Sequence, residues 1–184
     1  ERHIVDGIGI LVFPVTGKTK NLIIREPVEI IPGNLRERSC SNYNQFVVGV
    51  KQNALQPGEL IEKISVPVLE GSQEFCKIGP RNAMVISVAS FTLLTDVKEN
   101  QVRSCLGTVG PVPIRPTEAE NLLSNGVDWG KNEVSSEVLD AFASLCADAA
   151  QPIDDHRGSA AYRRHAIKIL SRRAACRIFS EGNS

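Results

Sequence analysis

Hydrophobic and polar positions divide this chain into two textures. Up to about residue 70, short runs rich in β-branched residues alternate with turn formers. Residues 4–5, 8–13, 21–25 and 46–50 read as strands, separated by Thr16-Gly17-Lys18, Pro27 and Pro32-Gly33. Leu55-Gln56-Pro57-Gly58-Glu59-Leu60 makes a turn into a strand over 61–66. There Ile64 and Val66 alternate with Lys63 and Ser65, the pattern of a strand with one solvated face. Residues 73–78, 84–95 and 101–109 predict three more strands, with 96–100 as the hairpin loop between the last two.

The period changes after Pro111-Val112-Pro113-Ile114-Arg115-Pro116. Thr117 opens a short helix, with Glu120 placed to close a capping box. Ser135 or Ser136 begins a second, whose Val138, Leu139, Phe142, Leu145, Cys146 and Ala149 cluster on one side until Pro152 stops it. Asp154 or Asp155 starts a third that runs to about Phe179, with Tyr162, Ala166, Ile169, Leu170, Ala174 and Ile178 as its apolar stripe. Strands first and helices after predict an α+β fold: an antiparallel sheet followed by a C-terminal set of about three helices.

Composition narrows the function classes. The chain has 184 residues, 21 Lys+Arg against 21 Asp+Glu, and 42% hydrophobic residues. That is enough to bury a core, and zero net charge argues against a surface built for nucleic acid or anionic lipid. No apolar run approaches the ~20 residues of a membrane span. The first residue is Glu1 rather than Met, so the chain reads as a fragment or a processed product. Cys40, Cys76, Cys105, Cys146 and Cys176 are widely spaced and odd in number, which argues against a disulfide framework and for a reducing, cytoplasmic setting. Without a C-x-x-C pair, zinc and cysteine-held iron–sulfur sites are not expected; Cys146 and Cys176 read as buried free thiols.

Three further patterns are weak. Thr16-Gly17-Lys18-Thr19 carries the GKT of a phosphate-binding loop, but Val12 stands where the loop needs its first Gly, so the segment reads as a turn. Gly7-Ile8-Gly9 lacks the third Gly of a dinucleotide fingerprint. His156 follows two aspartates, an arrangement open to a general base and better read as helix capping with an exposed imidazole; His3 lies at the chain start and His165 on a polar helical face. Arg157, Arg163, Arg164, Lys168, Arg172, Arg173 and Arg177 make the last helix basic, a solvated or protein-docking face rather than one for nucleic acid. Composition and spacing alone thus give an α+β domain with no self-contained active site and no catalytic or metal-ligating residues.

Longer motifs add a resemblance. Phe75-Cys76-Lys77-Ile78-Gly79-Pro80-Arg81-Asn82-Ala83-Met84 resembles the F/Y-x-K-x-G-x-R-x-A-M stretch of the FAD-binding (medium) subunit of molybdenum-containing hydroxylases, the family of xanthine dehydrogenase and carbon monoxide dehydrogenase flavoproteins. Gly110-Pro111-Val112-Pro113-Ile114-Arg115 with Ala119-Glu120-Asn121-Leu122 is similar to its A-P-x-P-I-R…A-E-x-L segment. Pro152-Ile153-Asp154-Asp155-His156-Arg157-Gly158-Ser159-Ala160-Ala161-Tyr162-Arg163-Arg164 resembles its P-I-x-D-x-R-G-S-A-x-Y-R-R run, and Leu55 to Ile61 its L-x-P-x-E-L-I turn. The runs keep the family's order over residues 55–184.

The resemblance implies a CO dehydrogenase flavoprotein C-terminal-like domain over 71–184, preceded in 1–70 by the end of a second FAD-binding subdomain. It implies an oxidoreductase component in which electrons from 2Fe-2S clusters pass through FAD to NAD or another acceptor, with molybdopterin and iron–sulfur centres on partner subunits or domains. Ile61 falls where the family places an apolar residue against the flavin, and Lys77 at or beside the position of a basic side chain near the ring. Arg115 and the Arg163–Arg164 pair read as holding the domain together or docking a partner. The family's A-G-G-T-type pyrophosphate loop has no counterpart, and Ile30-Ile31-Pro32-Gly33-Asn34 only echoes its T-I-G-G-N segment, with Pro32 removing an amide donor. FAD would then be shared with N-terminal FAD subdomains that this chain lacks, leaving the isolated chain inactive and a weak FAD binder or none. The alternative is a non-catalytic domain of the same fold that docks partner subunits without flavin.

Overall fold

Three antiparallel strands form the central sheet: β5 (Gln73–Ile78), β6 (Ala89–Asp96) and β7 (Gln101–Gly107), in the order β5-β6-β7. They belong to a computed structural model that describes residues 29–33, 43–65, 71–81 and 85–182. The strands expected over 4–5, 8–13 and 21–25, the Thr16–Lys18 turn, Gly7-Ile8-Gly9, His3, Asn34 and Cys40 lie outside the described residues. Before the sheet come β1 (Glu29–Gly33), α1 (Tyr43–Phe46), β2 (Val47–Gly49), β3 (Gln52–Asn53) and β4 (Leu60–Ser65). β1 pairs antiparallel with β4, with a register shift between Ile31 and Pro32, and β2 pairs with β3. The strand expected over 46–50 is therefore shorter, because Phe46 ends a helical turn.

Alternation decides what the central sheet faces. Ala89, Phe91 and Leu93 of β6 share a face with Val102, Ser104 and Leu106 of β7 and with Cys76 and Ile78 of β5. That face carries the helices α2 (Thr117–Gly126), α3 (Ser136–Ala149) and α4 (Ala160–Ile178). α4 packs on β5 and β6, α2 on β7, and α3 on both other helices. Phe91 meets Phe142 edge to face, ring centroids 6.1 Å apart, at the middle of the core. β6 begins at Ala89, later than expected, because residues 85–88 belong to a loop closed by Val88 N–H donating to Ile78 O at 2.7 Å.

Helix starts follow side-chain capping. Ser135 caps α3 by accepting from Val138 N at 3.4 Å, as the sequence predicts. α4 starts at Ala160, later than expected, because Ser159 accepts from Tyr162 N at 3.2 Å and Asp154 from Ala160 N at 2.5 Å. The expected capping box of α2 does not form. Pro116 holds its N-cap position without a side-chain bond, and Glu120 turns to the sheet. Tyr162, placed on the apolar stripe by its spacing, is 47% exposed, and Arg163 takes the buried position beside it. A small sheet that the periodicity does not signal, β8 (Val127–Asp128), β9 (Glu133–Val134) and β10 (Ser180–Glu181), ties the end of α4 to the α2–α3 connection. There Trp129 packs edge to face on Phe179 and donates from Nε1 to Ser124 O at 3.0 Å.

Candidate functional site

The residues that the motifs bring forward fall into three places. The first is the free edge of β7. An edge strand exposes every second N–H, and a covered N–H without a partner costs about 1–3 kcal/mol. Here Val102 N donates to Ser124 Oγ at 2.9 Å, Ser104 N to Glu120 Oε1 at 2.6 Å, and Leu106 N to Ile114 O at 2.8 Å. Glu120 is buried at 3% exposure, and its charge is met by Arg115, whose Nη2 lies 2.6 Å from Oε2. The P-I-R…A-E-N-L residues thus finish a sheet edge, and Arg115 holds the domain together.

The second place joins the start of α4 to the end of β7. Arg163, 4% exposed, donates from Nη2 to Asp155 Oδ1 at 2.5 Å and from Nη1 to Thr108 O at 2.8 Å. Asp155 also accepts from Arg157 N at 2.8 Å and Arg157 Nε at 3.3 Å. The Arg157 amide, then the Arg163 guanidinium, hold its carboxyl well below the usual carboxylate range. Gln151 N donates to Val109 O at 2.7 Å and closes the same junction. Thr108 sits at φ 61°, a left-handed conformation unfavourable for a β-branched residue. The carboxylate pair beside His156 therefore divides into a helix cap, Asp154, and a clip, Asp155, and neither orients the exposed imidazole as a base.

The third place holds Lys77. Its neighbours Cys76 and Ile78 face the core, so Lys77 projects from the face of the sheet opposite the helices, in register with Ser90. It is exposed, and its Nζ donates to Val85 O at 3.2 Å. An ammonium has three protons, and this is the one hydrogen bond it makes among the described residues. Ile61 lies on β4 in register with Pro32 and is 43% exposed. Lys77 and Ile61 belong to different sheets. A cation with protons to spare and an uncovered aliphatic side chain are groups whose chemistry a flavin ring would accept. The pyrophosphate end finds no cradle among the described residues, because Ile30 to Gly33 are engaged as a strand against β4.

Nucleophilic and metal chemistry find no support in the described residues. Burial pushes the Cys105 thiol up to about 12 and raises Cys146 as well; Cys76 and Cys176 are raised too, chiefly by burial. Thiols held neutral are poor nucleophiles. Cys176 is only half-buried, against expectation, because it lies where Arg172 Nη1 reaches its sulfur at 3.4 Å. No group of His, Cys, Asp and Glu among the described residues could hold a metal ion, and none of their helices is long and apolar enough to cross a membrane. Part of the basic face of α4 is paired at the surface within the chain: Arg172 meets Asp140 at 2.6 Å and Glu181 at 3.1 Å, and Arg177 pairs with Glu74. Sequence reasoning missed the sheet-edge role of Glu120, because its spacing from Thr117 matched a capping box, and it missed Val85, which acts through its carbonyl.

Comparisons with known proteins agree with this architecture. The family model of the CO dehydrogenase flavoprotein C-terminal domain matches residues 74–178, more than half of the chain. The glyceraldehyde dehydrogenase medium chain of Sulfolobus acidocaldarius is 32% identical over 117 residues, which are 64% of this chain and 41% of that protein. Quinoline 2-oxidoreductase from Pseudomonas putida 86 superposes with a TM-score of 0.71 at 16% identity, covering 83% of this chain and 52% of that one. Reconstituted CO dehydrogenase from Oligotropha carboxidovorans gives 0.68 at 20% identity, covering 82% and 52%. The chain thus spans about half the length of these relatives or less. At such identities the solved structures establish the fold, and the family match carries the kinship that the motifs pointed to. The chain belongs to the family of CO dehydrogenase flavoprotein C-terminal domains.

Proposed function

We infer that this chain is part of the flavin-carrying component of a molybdenum-containing oxidoreductase, in which FAD relays electrons from 2Fe-2S clusters to NAD or another acceptor. The family match over 74–178 carries the reading. Residues 71–184 serve as the C-terminal domain, and 1–70 as the end of an FAD-binding subdomain. Molybdopterin and iron–sulfur centres belong to partner subunits or domains.

FAD supplies the redox chemistry when bound, and this chain supplies its surroundings. Lys77 would supply a positive charge to the ring; reduction concentrates negative charge at N1–C2=O, so a nearby ammonium would favour the reduced form. Ile61 would cover apolar ring surface and keep water from it. Arg115, Glu120, Asp155 and Arg163 bind no cofactor; they hold the sheet and helices that carry Lys77.

The test is to purify the complete natural assembly and assay it for FAD, iron and molybdenum. All three are expected in fixed proportion to the chain. A stable assembly with iron and molybdenum and no flavin would leave this domain as a non-catalytic docking module.

A further inference from the structure

We propose that Gly79 and Val85, which lie between β5 and β6, are positioning residues for the Lys77 ammonium. The proposal rests on the reading that Lys77 faces the flavin, and goes beyond it by assigning what fixes the charge in place.

A lysine side chain has about 2 kcal/mol of rotamer entropy, so an untethered ammonium spreads its charge over many positions. Here Nζ is held by Val85 O at 3.2 Å. Three residues after Val85, Val88 N donates to Ile78 O at 2.7 Å, which ties this segment to the end of β5 in a neck. Within that neck Gly79 has no β-carbon, and one placed there would overlap Val85 Cγ2. Valine has few χ1 choices, and both its γ-carbons branch from the same Cβ, so we take the conflict to be relieved by moving the Val85 backbone. The same backbone carries the carbonyl that holds Lys77. Gly79 therefore lets Val85 sit close, and Val85 fixes the ammonium with protons left to serve a ligand. Gly79 and Val85 are positioning residues and touch no reacting atom.

The test is a redox titration of the bound flavin in the complete assembly. Lys77→Met is expected to lower the preference for the reduced flavin roughly tenfold, a shift of about 30 mV to more negative potential for a two-electron couple. Gly79→Ala is expected to shift it the same way by about half as much. In the Lys77→Met background Gly79→Ala should add nothing. Val85→Ala, which removes the overlapping atom, should restore the Gly79→Ala potential. If Gly79→Ala does not assemble, Val85→Gly, which loosens the same carbonyl without adding an atom, must give the shift. The positioning role is overturned if Lys77→Met moves the potential while the loop variants do not, or if Gly79→Ala acts equally with and without Lys77. No shift in Lys77→Met overturns the flavin reading and this proposal together.

Discussion

Along the free edge of β7, the polar side chains that the motifs supply end on backbone groups or on one another. Glu120 accepts from the Ser104 amide while Arg115 neutralises it, and Arg163 joins Asp155 to the Thr108 carbonyl. At the other edge of the sheet, β5 and the residues that follow it in sequence are equally rich in motif residues. There Lys77 is exposed, and its one bond among the described residues goes to the carbonyl of Val85. The two regions differ in where their charge is satisfied: internally at the β7 edge, outwardly at Lys77. A dense motif therefore does not by itself mark a ligand site.

The contrast breaks most easily at Glu120. Glu120→Ala leaves the Ser104 amide without its acceptor and removes the buried carboxylate that meets Arg115 Nη2, so it should cost about 3–5 kcal/mol. Glu120→Gln keeps an acceptor and loses the charge, and should cost about 1.5–3 kcal/mol. Urea unfolding of both variants provides the measurement. A loss below about 1 kcal/mol for the alanine variant would mean that the edge is satisfied without the carboxylate, and that Glu120 is free to serve something else.

A smaller effect should follow from acid. The Asp155 carboxyl titrates below its unfolded value because the Arg157 amide and the Arg163 guanidinium favour its charged form. A depressed carboxylate stabilises the fold above the unfolded pKa of about 3.9, and that contribution is lost as pH falls through the folded value. The wild-type chain should therefore lose more stability between about pH 5 and pH 3 than Asp155→Asn, which has no carboxyl to protonate. Urea midpoints across that range provide the comparison. Parallel pH profiles would remove Asp155 from the clip.

Much of this was legible in the sequence, and for identifiable reasons. β5 follows from β-rich alternation and α3 from one apolar side opened by a serine cap, both local signals. Lys77 was legible as a position within a motif. What it touches was not, because the Val85 carbonyl is a backbone group that any residue could supply. Glu120 was misplaced because two local bonds of a capping box compete with a buried guanidinium and an edge amide, and the tertiary partners win. Helical spacing puts Arg163 on a basic face and Tyr162 in the core because it cannot show that an arginine is satisfied inside. The longer motif, which reads the Arg163–Arg164 pair as holding the domain together or docking a partner, comes nearer to the bonds Arg163 makes. The β8–β9–β10 sheet has two-residue strands, too short for alternation to register.

The smallest effect opposes two single positions, one in each region. Gly79 borders the lysine loop, where an added β-carbon collides with Val85. Thr108 lies in the clip with the opposite problem: its β-branched side chain occupies a left-handed backbone at φ 61°, while its carbonyl is held by Arg163. That conformation costs a non-glycine residue about 1–2 kcal/mol, and the greater freedom of glycine in the unfolded chain returns about 0.5–1 kcal/mol. Thr108→Gly should therefore stabilise the fold by about 0.5–1 kcal/mol, read as a raised urea midpoint with unchanged slope. The gain depends on Arg163 continuing to hold the carbonyl, so Arg163→Met should keep Thr108→Gly from adding stability. If glycine stabilises equally in both backgrounds, the strained backbone at Thr108 is independent of the clip, and the two regions differ less than their hydrogen bonds imply.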